Sequence, residues 1–491
     1  MSNEDKKNEK NKREDTQEQE KIPIKVETEI SHYSIEHGFV EMWYNELLNQ
    51  TGYLTYHLDD EVKRKDYVWL NKKTKIVPLH PDHGLLKNKF LLFPSDAVDY
   101  GTNKELFKEV KSFIRQYVQV SEDFITISAL YVLMSWIYDR FSVLPYLRVV
   151  GGFGCGKTRF LETIGCLTYK AMFAAGSAST ASIFRTIDKI KGTLIFDEAD
   201  FRNTESWSEI IKMLNSGHTN RFPVIRMKGS DSGNNFETQA FSVFGPKILG
   251  SRSRFTDEAL ESRCLSYVMT PIKNIDKPIH LPEDFDKKAR DLRNKLLKFR
   301  FDNFLAVDMK SLDLSTLGIP RIKQTLLSLV YTANLINDEV VNSVIQFAEM
   351  FETDFINEQS TKEEADVLTS IAYIMSNKDD MAREGCKIRI NQISVDYDQS
   401  YRHEFDDRIN KEVGADGYGA IELSSYKVSA RKIGHIVRNK LNIRTRRDRL
   451  GFYIPPEEHS KIKILVERYG VGEELEDRFA RDKQEGESQP L

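Results

Sequence analysis

The feature that most constrains the fold is a glycine-rich loop between an apolar strand and a helix. Residues 145–150 read PYLRVV and residues 151–158 read GGFGCGKT, which fits the pattern G-x-x-x-x-G-K-[ST] at every position. Glycines let successive backbone N–H groups turn inward and surround phosphate oxygens. The next residues, RFLETI, predict a helix whose N-terminus adds its dipole to the same site. The alternative is a glycine-rich turn with an incidental lysine, and the flanking strand and helix disfavour it.

The polar residues of this loop have distinct predicted roles. Lys157 is placed to reach the β- and γ-phosphates of a nucleotide, and the Thr158 hydroxyl is placed to ligate Mg²⁺. The sequence therefore predicts ATP and Mg²⁺ as cofactors. The residues expected to contact the nucleotide are Gly151, Gly154, Cys155, Gly156, Lys157, Thr158 and Arg159.

An acidic motif follows a second apolar strand. Residues 192–196 read GTLIF and lead into Asp197, Glu198, Ala199 and Asp200. A carboxylate at the tip of a buried strand beside the loop can hold the Mg²⁺ shell, which is the role expected of Asp197. Glu198 is placed to polarise the attacking water, so the pair favours hydrolysis over phosphoryl transfer to a metabolite. A solvated acidic turn is the alternative.

Composition limits the class of protein. The 491 residues allow about three domains, and 40% hydrophobic residues suffice for large cores. The four cysteines lie far apart without a CxxC pair, which disfavours a zinc ribbon or a thioredoxin-type site. The longest apolar stretch, Phe124–Tyr138, is shorter than the roughly 20 residues of a membrane-spanning helix. We expect a soluble, cytoplasmic protein, and the net charge of −4 says little about its partners.

Composition shifts and periodicity divide the chain into six segments. The N-terminal end is polar and nearly free of large apolar residues, and the C-terminal end is acidic and polar, so both predict disorder. Alternating helices and apolar strands predict a parallel sheet. The predicted segments are a disordered tail (1–29), a small α+β domain (30–120), an α/β ATPase core (121–272), a helical segment (273–358), a nucleic-acid-binding domain (361–470) and an acidic disordered tail (471–491).

The motifs resemble those of the AAA+ ATPases. The DEAD sequence at Asp197–Asp200 is similar to the Walker B motif of clamp-loader subunits, and Ser262-Arg263-Cys264 is similar to their Ser-Arg-Cys motif. In that family the arginine acts in trans on the nucleotide of the neighbouring subunit. The resemblance thus implies this role for Arg263 and a homo-oligomeric ring, usually a hexamer. An ordinary surface arginine is the alternative, and Arg254 competes for the role.

The resemblance covers roughly Phe124–Asn357 and implies two sensors and a lid. Ser251, after the next apolar strand, takes the position of sensor 1, with Arg252 as an adjacent competitor. The helical segment corresponds to the lid, and Arg321 at the start of a lid helix is the candidate for sensor 2. The expected fold class is α/β, with an AAA+ P-loop core and helical lid between the small N-terminal domain and a C-terminal winged helix.

A possible hairpin points to nucleic acid. Residues 220–228 and 236–240 are predicted to pair across a connection rich in Gly, Ser and Asn. Superfamily 3 helicases carry a hairpin in this region that lines the ring channel. By that resemblance Arg221, Arg226 and Lys228 would contact the phosphates of single-stranded DNA. A hairpin with ordinary surface charges is the alternative.

A strongly basic segment also points to nucleic acid. Residues 427–449 hold nine Lys or Arg against one Asp, a net charge of +8, and their apolar residues recur at helical spacing. A basic helix followed by a basic hairpin is similar to winged-helix domains, which place the helix in the major groove of duplex DNA. A solvated charged face usually mixes signs. The candidate DNA contacts are Arg431, Lys432, Arg438, Arg444, Arg446, Arg447 and Arg449.

Together these features predict an ATP-hydrolysing DNA helicase or replication initiator of a virus, plasmid or integrated element. The main alternative is a clamp-loader-like or regulatory AAA+ ATPase that binds DNA and remodels a partner protein without unwinding. A winged-helix regulator that only senses ATP is disfavoured by the paired Asp197 and Glu198. We also hypothesise that the acidic segment 471–491 competes with DNA for the basic face.

Overall fold

The structure is a computed structural model. It describes residues 24–57, 61–175, 179–197, 205–229, 236–270, 277–278, 280–307, 320–360, 363–376, 386–413 and 428–487, without side chains for 205–207, 227–229, 236–237, 321, 354–360, 402–413 and 481–487. The chain divides into two compact units, Met1–Ala348 and Glu349–Leu491. In the described part of the chain, no helix is both long and apolar enough to cross a membrane.

The first unit begins with two small sheets. Their strands are β1 (Lys25–Thr28), β2 (Ser31–Ser34), β3 (Gly38–Asn45), β4 (Gln50–Tyr56), β5 (Lys63–Lys65), β6 (Val68–Trp69) and β7 (Thr74–Val77). Strands β2 to β5 form an antiparallel sheet in chain order, and β1, β7 and β6 form a second sheet. Strand β1 lies inside the segment predicted as a disordered tail. The prediction of disorder is therefore wrong for these residues. All four pair in parallel with β7, which provides partners for their backbone N–H and C=O groups, and composition alone does not reveal such partners.

Three helices lead to the central sheet. They are α1 (Gly84–Lys87), α2 (Asn103–Tyr117) and α3 (Glu122–Trp136). Helix α2 begins with a capping box between Thr102 and Glu105, and α3 is capped by the Ser121 hydroxyl. Every residue of α3 from Phe124 onward is buried, so the helix lies in the core.

The centre of the first unit is a parallel five-stranded sheet of a P-loop-like α/β core. Its strands follow the order β14-β8-β13-β10-β9 and are all parallel, as the sequence predicts for this region. The carboxyl ends of β8, β13 and β10 therefore lie side by side at one edge. The strands of this region are β8 (Tyr146–Val150), β9 (Met172–Ala174), β10 (Leu194–Phe196), β11 (Val224–Gly229), β12 (Phe236–Phe241), β13 (Lys247–Ser251) and β14 (Cys264–Val268); the helices are α4 (Lys157–Gly165), α5 (Thr180–Ile190), α6 (Glu205–Ser216) and α7 (Glu258–Glu261).

Three longer helices follow, α8 (Phe285–Asn303), α9 (Pro320–Asn334) and α10 (Asp338–Ser360). Arg300 of α8 donates to Glu41 of β3 at 2.9 Å and to both oxygens of Asp139 at 2.8 and 2.7 Å. The Tyr169 hydroxyl also donates to Glu41, at 2.7 Å. Arg300 and Glu41 are buried, whereas Asp139 is exposed. Removing either buried partner would leave an uncompensated charge, so this network ties the N-terminal sheets to α8. The segment 30–120 accordingly shares one compact unit with the central sheet instead of forming its own.

The second unit is a small α/β arrangement with its own core. Strands β15, β17 and β16 form an antiparallel sheet in that order, and the apolar faces of the helices pack around it. Its elements are α11 (Glu363–Ser376), β15 (Ile388–Arg389), α12 (Ile390–Val413), α13 (Ala430–His435, continued by a π-turn at Ile436–Lys440), β16 (Arg446–Asp448), β17 (Gly451–Ile454), α14 (His459–Tyr469) and α15 (Gly472–Glu487).

Helix α15 corrects the prediction of a disordered acidic tail at 471–491. Arg478 binds both oxygens of Asp396 on α12, at 2.9 and 2.6 Å. Phe479 stacks on Tyr373 of α11, with 5.4 Å between the ring centroids. Composition predicts disorder because the segment is acidic and polar. The adjacent side chains of Arg478 and Phe479 nevertheless anchor the helix to the rest of the second unit.

Candidate functional site

The glycine-rich loop joins β8 to α4 at the carboxyl edge of the central sheet. Gly154 and Gly156 have φ of 75° and 94°, a left-handed backbone that side chains disfavour. The buried Cys155 thiol donates to the Gly152 carbonyl at 3.1 Å and holds the turn together from inside. The loop therefore has the backbone shape that a phosphate-binding turn requires.

The two basic residues of the loop have different partners. The Lys157 ammonium donates to the carbonyls of Gly151 and Gly152, at 2.7 Å each. Arg159 donates to the Pro278 carbonyl at 3.0 Å, in the segment that follows β14. Lys157 thus lies over the loop itself, whereas Arg159 links α4 to a more distant part of the unit.

The decisive geometry joins the loop helix to the acidic motif. Thr158 lies in the first turn of α4, and Asp197 lies directly after β10. The Thr158 hydroxyl donates to Oδ2 of Asp197 at 2.9 Å. Glu162 lies further along α4. Burial raises the pKa of its carboxyl, and the negative charge of Asp197 raises that pKa further. A hydroxyl and a carboxylate oxygen this close fit Mg²⁺, which is usually held by one or two carboxylates together with substrate phosphates. The described residues contain no cluster of three or more His, Cys, Asp or Glu that could hold a metal alone.

Gly250 makes room for this contact. It lies on β13, between the strands that carry the loop and Asp197. A Cβ atom at Gly250 would lie 3.0 Å from Oδ1 of Asp197 and 2.9 Å from Cδ1 of Leu161. Sequence reasoning missed this residue, although a glycine within the apolar run PKILGS was a usable signal.

The position predicted for sensor 1 also lies at this edge. Ser251 is the last residue of β13, is fully buried, and its hydroxyl has no hydrogen-bond partner among the described residues. Its carbonyl accepts from the Gly151 N–H at 3.1 Å, so it lies beside the loop. Arg252 and Arg254 follow it and are exposed. Glu198, predicted to polarise water, lies outside the described residues.

Arg263 lies at the amino ends of the strands, opposite the carboxyl ends where the loop lies. It precedes Cys264, which pairs with Tyr146, the first residue of β8. A strand rises about 3.3 Å per residue, and the five residues of β8 lie between the level of Arg263 and the loop of its own chain. The half-buried Arg263 donates to Oδ1 of Asn215. Arg321 is in the first turn of α9, and its side chain is outside the description.

A buried ion pair that sequence reasoning missed anchors the segment after Ser251. Arg148 of β8 is fully buried and donates to Glu261 of α7, with one contact at 2.7 Å. Glu261 also accepts from the Phe255 N–H at 2.9 Å. The segment that carries Arg252 and Arg254 is therefore attached to the same strand that leads into the loop.

The predicted hairpin exists. Strands β11 and β12 pair over six residues, and the connection at 230–235 is outside the described residues. Arg226 donates to Glu209 of α6 at 3.0 Å, and its guanidinium lies 5.1 Å from the Phe184 ring centroid. Arg221 is exposed just before β11, and Lys228 is within β11 with an undescribed side chain.

Some of the basic residues of the second unit are paired with acids. Lys432 lies 2.5 Å from Glu363, and Arg446 lies 3.3 Å from Glu457. Arg444 is exposed, and its backbone N–H donates to Glu458. These contacts reduce the positive charge on part of the predicted DNA-binding surface.

The remaining predicted contacts gather at the hairpin of β16 and β17. The guanidinium groups of Arg438 and Arg447 lie 5.2 and 5.4 Å from the ring centroid of Phe452, which is 45% exposed. Arg431 and Arg449 are exposed on α13 and at the hairpin turn. Helix α13 and the hairpin thus share a basic surface around one aromatic ring.

Comparisons with known proteins found no matching family model and no matching curated protein. Among solved structures, SCCmec type IV Cch, described as an active helicase, is similar over 73% of this chain and 65% of that chain, with 9% identity and a TM-score of 0.38. The apo NrS-1 C-terminal region is similar over 84% of this chain and 96% of that chain, with 9% identity and a TM-score of 0.33. JCV helicase is similar over 52% and 64%, with 12% identity and a TM-score of 0.22. The chain spans less than two thirds of the Cch and JCV chains.

Replacing Gly250 with Ala should weaken Mg²⁺-dependent nucleotide binding because the new methyl group displaces the Asp197 carboxylate. We expect the affinity for a fluorescent ATP analogue to fall at least about tenfold with Mg²⁺ and to change little with EDTA, measured by fluorescence titration. Gly84→Ala is the matched control, since a Cβ there has no neighbour nearer than 3.8 Å. Equal affinities for Gly250→Ala and the unsubstituted protein in Mg²⁺ would contradict the assignment.

Proposed function

We propose that this chain is an ATP-hydrolysing motor of the AAA+ type that acts on DNA as a helicase or replication initiator of a virus, plasmid or integrated element. The observation that carries the proposal is the 2.9 Å contact between Thr158 and Asp197 beside the glycine-rich loop. That contact joins the two oxygen ligands that a Mg²⁺–nucleotide site needs, at the strand edge where nucleotides bind in parallel sheets.

The residues of the site divide the work of hydrolysis. Loop N–H groups bind the phosphates, and the Lys157 ammonium transfers from the Gly151 and Gly152 carbonyls to phosphate oxygens. Mg²⁺, when bound, supplies charge neutralisation at the phosphates. Thr158 and Asp197 would hold that ion, and Glu198 would take the proton of the attacking water. The buried Ser251 hydroxyl is positioned at the same edge to hydrogen-bond the water or the terminal phosphate.

Arginines complete the site in trans. Arg263 lies at the edge opposite its own loop, as expected for a residue that serves the neighbouring subunit of a head-to-tail ring. On contact with a neighbour its guanidinium would exchange the Asn215 amide for a phosphate oxygen. Arg254 is the alternative for this role, and Arg252 is the alternative to Ser251 as sensor 1. Helices α8 to α10 would form the lid, with Arg321 as its nucleotide contact.

The second unit is proposed to bind duplex DNA as a winged helix. The order α11-β15-α12-α13-β16-β17 with its small antiparallel sheet supports this reading. Helix α13 would enter the major groove, and the β16–β17 hairpin would contact the backbone. The hairpin of β11 and β12 in the first unit would contact single-stranded DNA through Arg221 and Lys228.

The second candidate function is remodelling of a protein partner without strand separation. One observation favours it: Arg226 of the β11–β12 hairpin is bound to Glu209 of its own chain, which leaves that hairpin with less charge for a DNA strand. The two functions separate in an unwinding assay.

Strand separation tests the proposed function. We expect the full chain with ATP and Mg²⁺ to unwind a forked duplex but not a blunt one, and Lys157→Ala to lose unwinding because the phosphates lose their cation. Gel separation of a labelled strand measures this, and Lys212→Ala, on the surface of α6, is the control. ATP turnover with no unwinding of the fork would favour the remodelling function.

The second unit makes a separate prediction. We expect Arg447→Ala to weaken duplex binding by about 1 kcal/mol or more and to lower the salt dependence, because it removes a phosphate contact. Lys432→Ala should have a smaller effect, since Glu363 already offsets that charge. Fluorescence anisotropy at several salt concentrations measures both. A larger loss from Lys432→Ala than from Arg447→Ala would show that the basic surface is oriented differently.

A further inference from the structure

The N-terminal sheets carry a basic surface that the motor does not use. Residues 63–75 read KRKDYVWLNKKTK and hold six Lys or Arg against one Asp, a net charge of +5. They form β5, β6, the turn after β6 and the start of β7. Five of the six basic residues are exposed, and the sixth, Lys75, is half-buried. We call residues 63–75 the basic ribbon.

Two half-exposed aromatic rings interrupt this charge. Tyr67 and Trp69 are 45% and 41% exposed. Trp69 pairs directly with Lys75 across β6 and β7, and the Lys75 ammonium lies 3.7 Å from the Tyr67 ring centroid. The neighbouring pair, Val68 with Ile76, is buried. Since successive residues of a strand face opposite sides, the apolar pair holds the sheet in the core while Trp69 and Lys75 face outward.

A cavity of about 700 Å³ opens beside these rings and is lined in part by Tyr67, Trp69, Arg64 and Trp43. The Arg64 guanidinium lies 4.5 Å from the Trp43 ring centroid and is paired with Asp96 at 2.8 Å. The buried Trp43 N–H has no acceptor among the described residues. Acidic side chains also line the cavity, so its charge is balanced, and the excess of positive charge lies along the basic ribbon; these acids are Glu36, Glu61 and Asp66.

We propose that the basic ribbon binds single-stranded nucleic acid. Proteins that hold single strands combine a basic track for the phosphates with aromatic rings on which bases stack. Here the lysines of the turn and β7 would contact phosphates, while Tyr67 and Trp69 would stack on unpaired bases. A duplex keeps its bases stacked on each other, so exposed rings favour a single strand. An acidic protein segment would use the charge but would leave the rings without a role.

The ribbon lies far in sequence from the proposed motor site, and the inference does not rest on ATP hydrolysis. No residue of the basic ribbon contacts the loop, Asp197 or the β11–β12 hairpin in any described hydrogen bond or ion pair. A chain that binds single strands here without hydrolysing ATP would refute the motor and leave this proposal intact.

Photocrosslinking of the full chain tests the proposal. The probe is a 20-nucleotide single strand carrying 5-iodouracil, which crosslinks to aromatic side chains in contact with it. Trypsin cleaves after Lys65 and Lys72, so one peptide, residues 66–72, contains both Tyr67 and Trp69. We expect mass spectrometry to find the probe on this peptide, with a yield that saturates and that falls as salt rises. Recovery of the peptide without adduct, while other peptides are crosslinked, would overturn the proposal.

Variants distinguish stacking from charge. Lys73→Glu/Lys75→Glu leaves both cleavage sites of the peptide intact and should reduce its crosslinking at least about fivefold. The matched control is Lys104→Glu/Lys108→Glu, the same change of charge at two exposed lysines of α2, which should leave the yield unchanged. Tyr67→Ala should lower the yield at Trp69 by a similar factor. Displacement of the probe by polyglutamate as effectively as by an unlabelled single strand would instead assign the ribbon to an acidic protein partner.

Discussion

The arrangement of the functional site depends on one contact, the hydrogen bond from Thr158 to Asp197 at the carboxyl edge of the parallel sheet. The two residues are 39 positions apart and follow strands that are not neighbours, since β13 lies between β8 and β10. The contact exists because β13 carries Gly250 at this height, and any side chain there would meet the Asp197 carboxylate. The intervening strand also delivers Ser251 to the loop. A single strand order thus brings together the proposed cation ligands and the predicted sensor.

Ion pairs of two buried arginines then fix the surroundings of that edge. Arg148 and Glu261 attach the segment after β13 to the strand of the loop. Arg300, Glu41 and Asp139 attach the N-terminal sheets and α8 to the central sheet. A buried pair is weak evidence for stability, but breaking one leaves a costly unpaired charge. Such pairs therefore specify which segments belong together, and they make the N-terminal sheets part of the same compact unit as the glycine-rich loop.

The local parts of the site are predictable from sequence because they depend on short-range rules. The loop, the apolar strand before it and the pairing of residues 224–229 with 236–241 all follow from glycine, turn and alternation patterns. The missed residues act over long distances. Arg148 and Glu261 have no motif of their own, and the only sequence signal for Gly250 is its place in an apolar run. The roles of all three residues follow from the strand order.

The errors at the chain ends have the same origin. Strand β1 and helix α15 are polar segments that composition assigns to disordered tails. Each is ordered by a few partners far along the chain: β1 by the backbone of β7, and α15 by Asp396 and Tyr373. Ion pairs also lower the positive charge that basic residues can offer to DNA. Lys432 and Arg226 each pair with an acid from another element, and a count of charge along the sequence does not include such partners.

We propose that the carboxyl edge of the sheet hydrolyses ATP in the service of a nucleic-acid motor. The most direct measurement is steady-state phosphate release by the full chain, with and without single-stranded DNA, compared with Asp197→Asn. We expect turnover that requires Mg²⁺, rises when the single strand is added and is lost in Asp197→Asn. Undiminished turnover by Asp197→Asn, or nucleotide binding without any phosphate release, would contradict it.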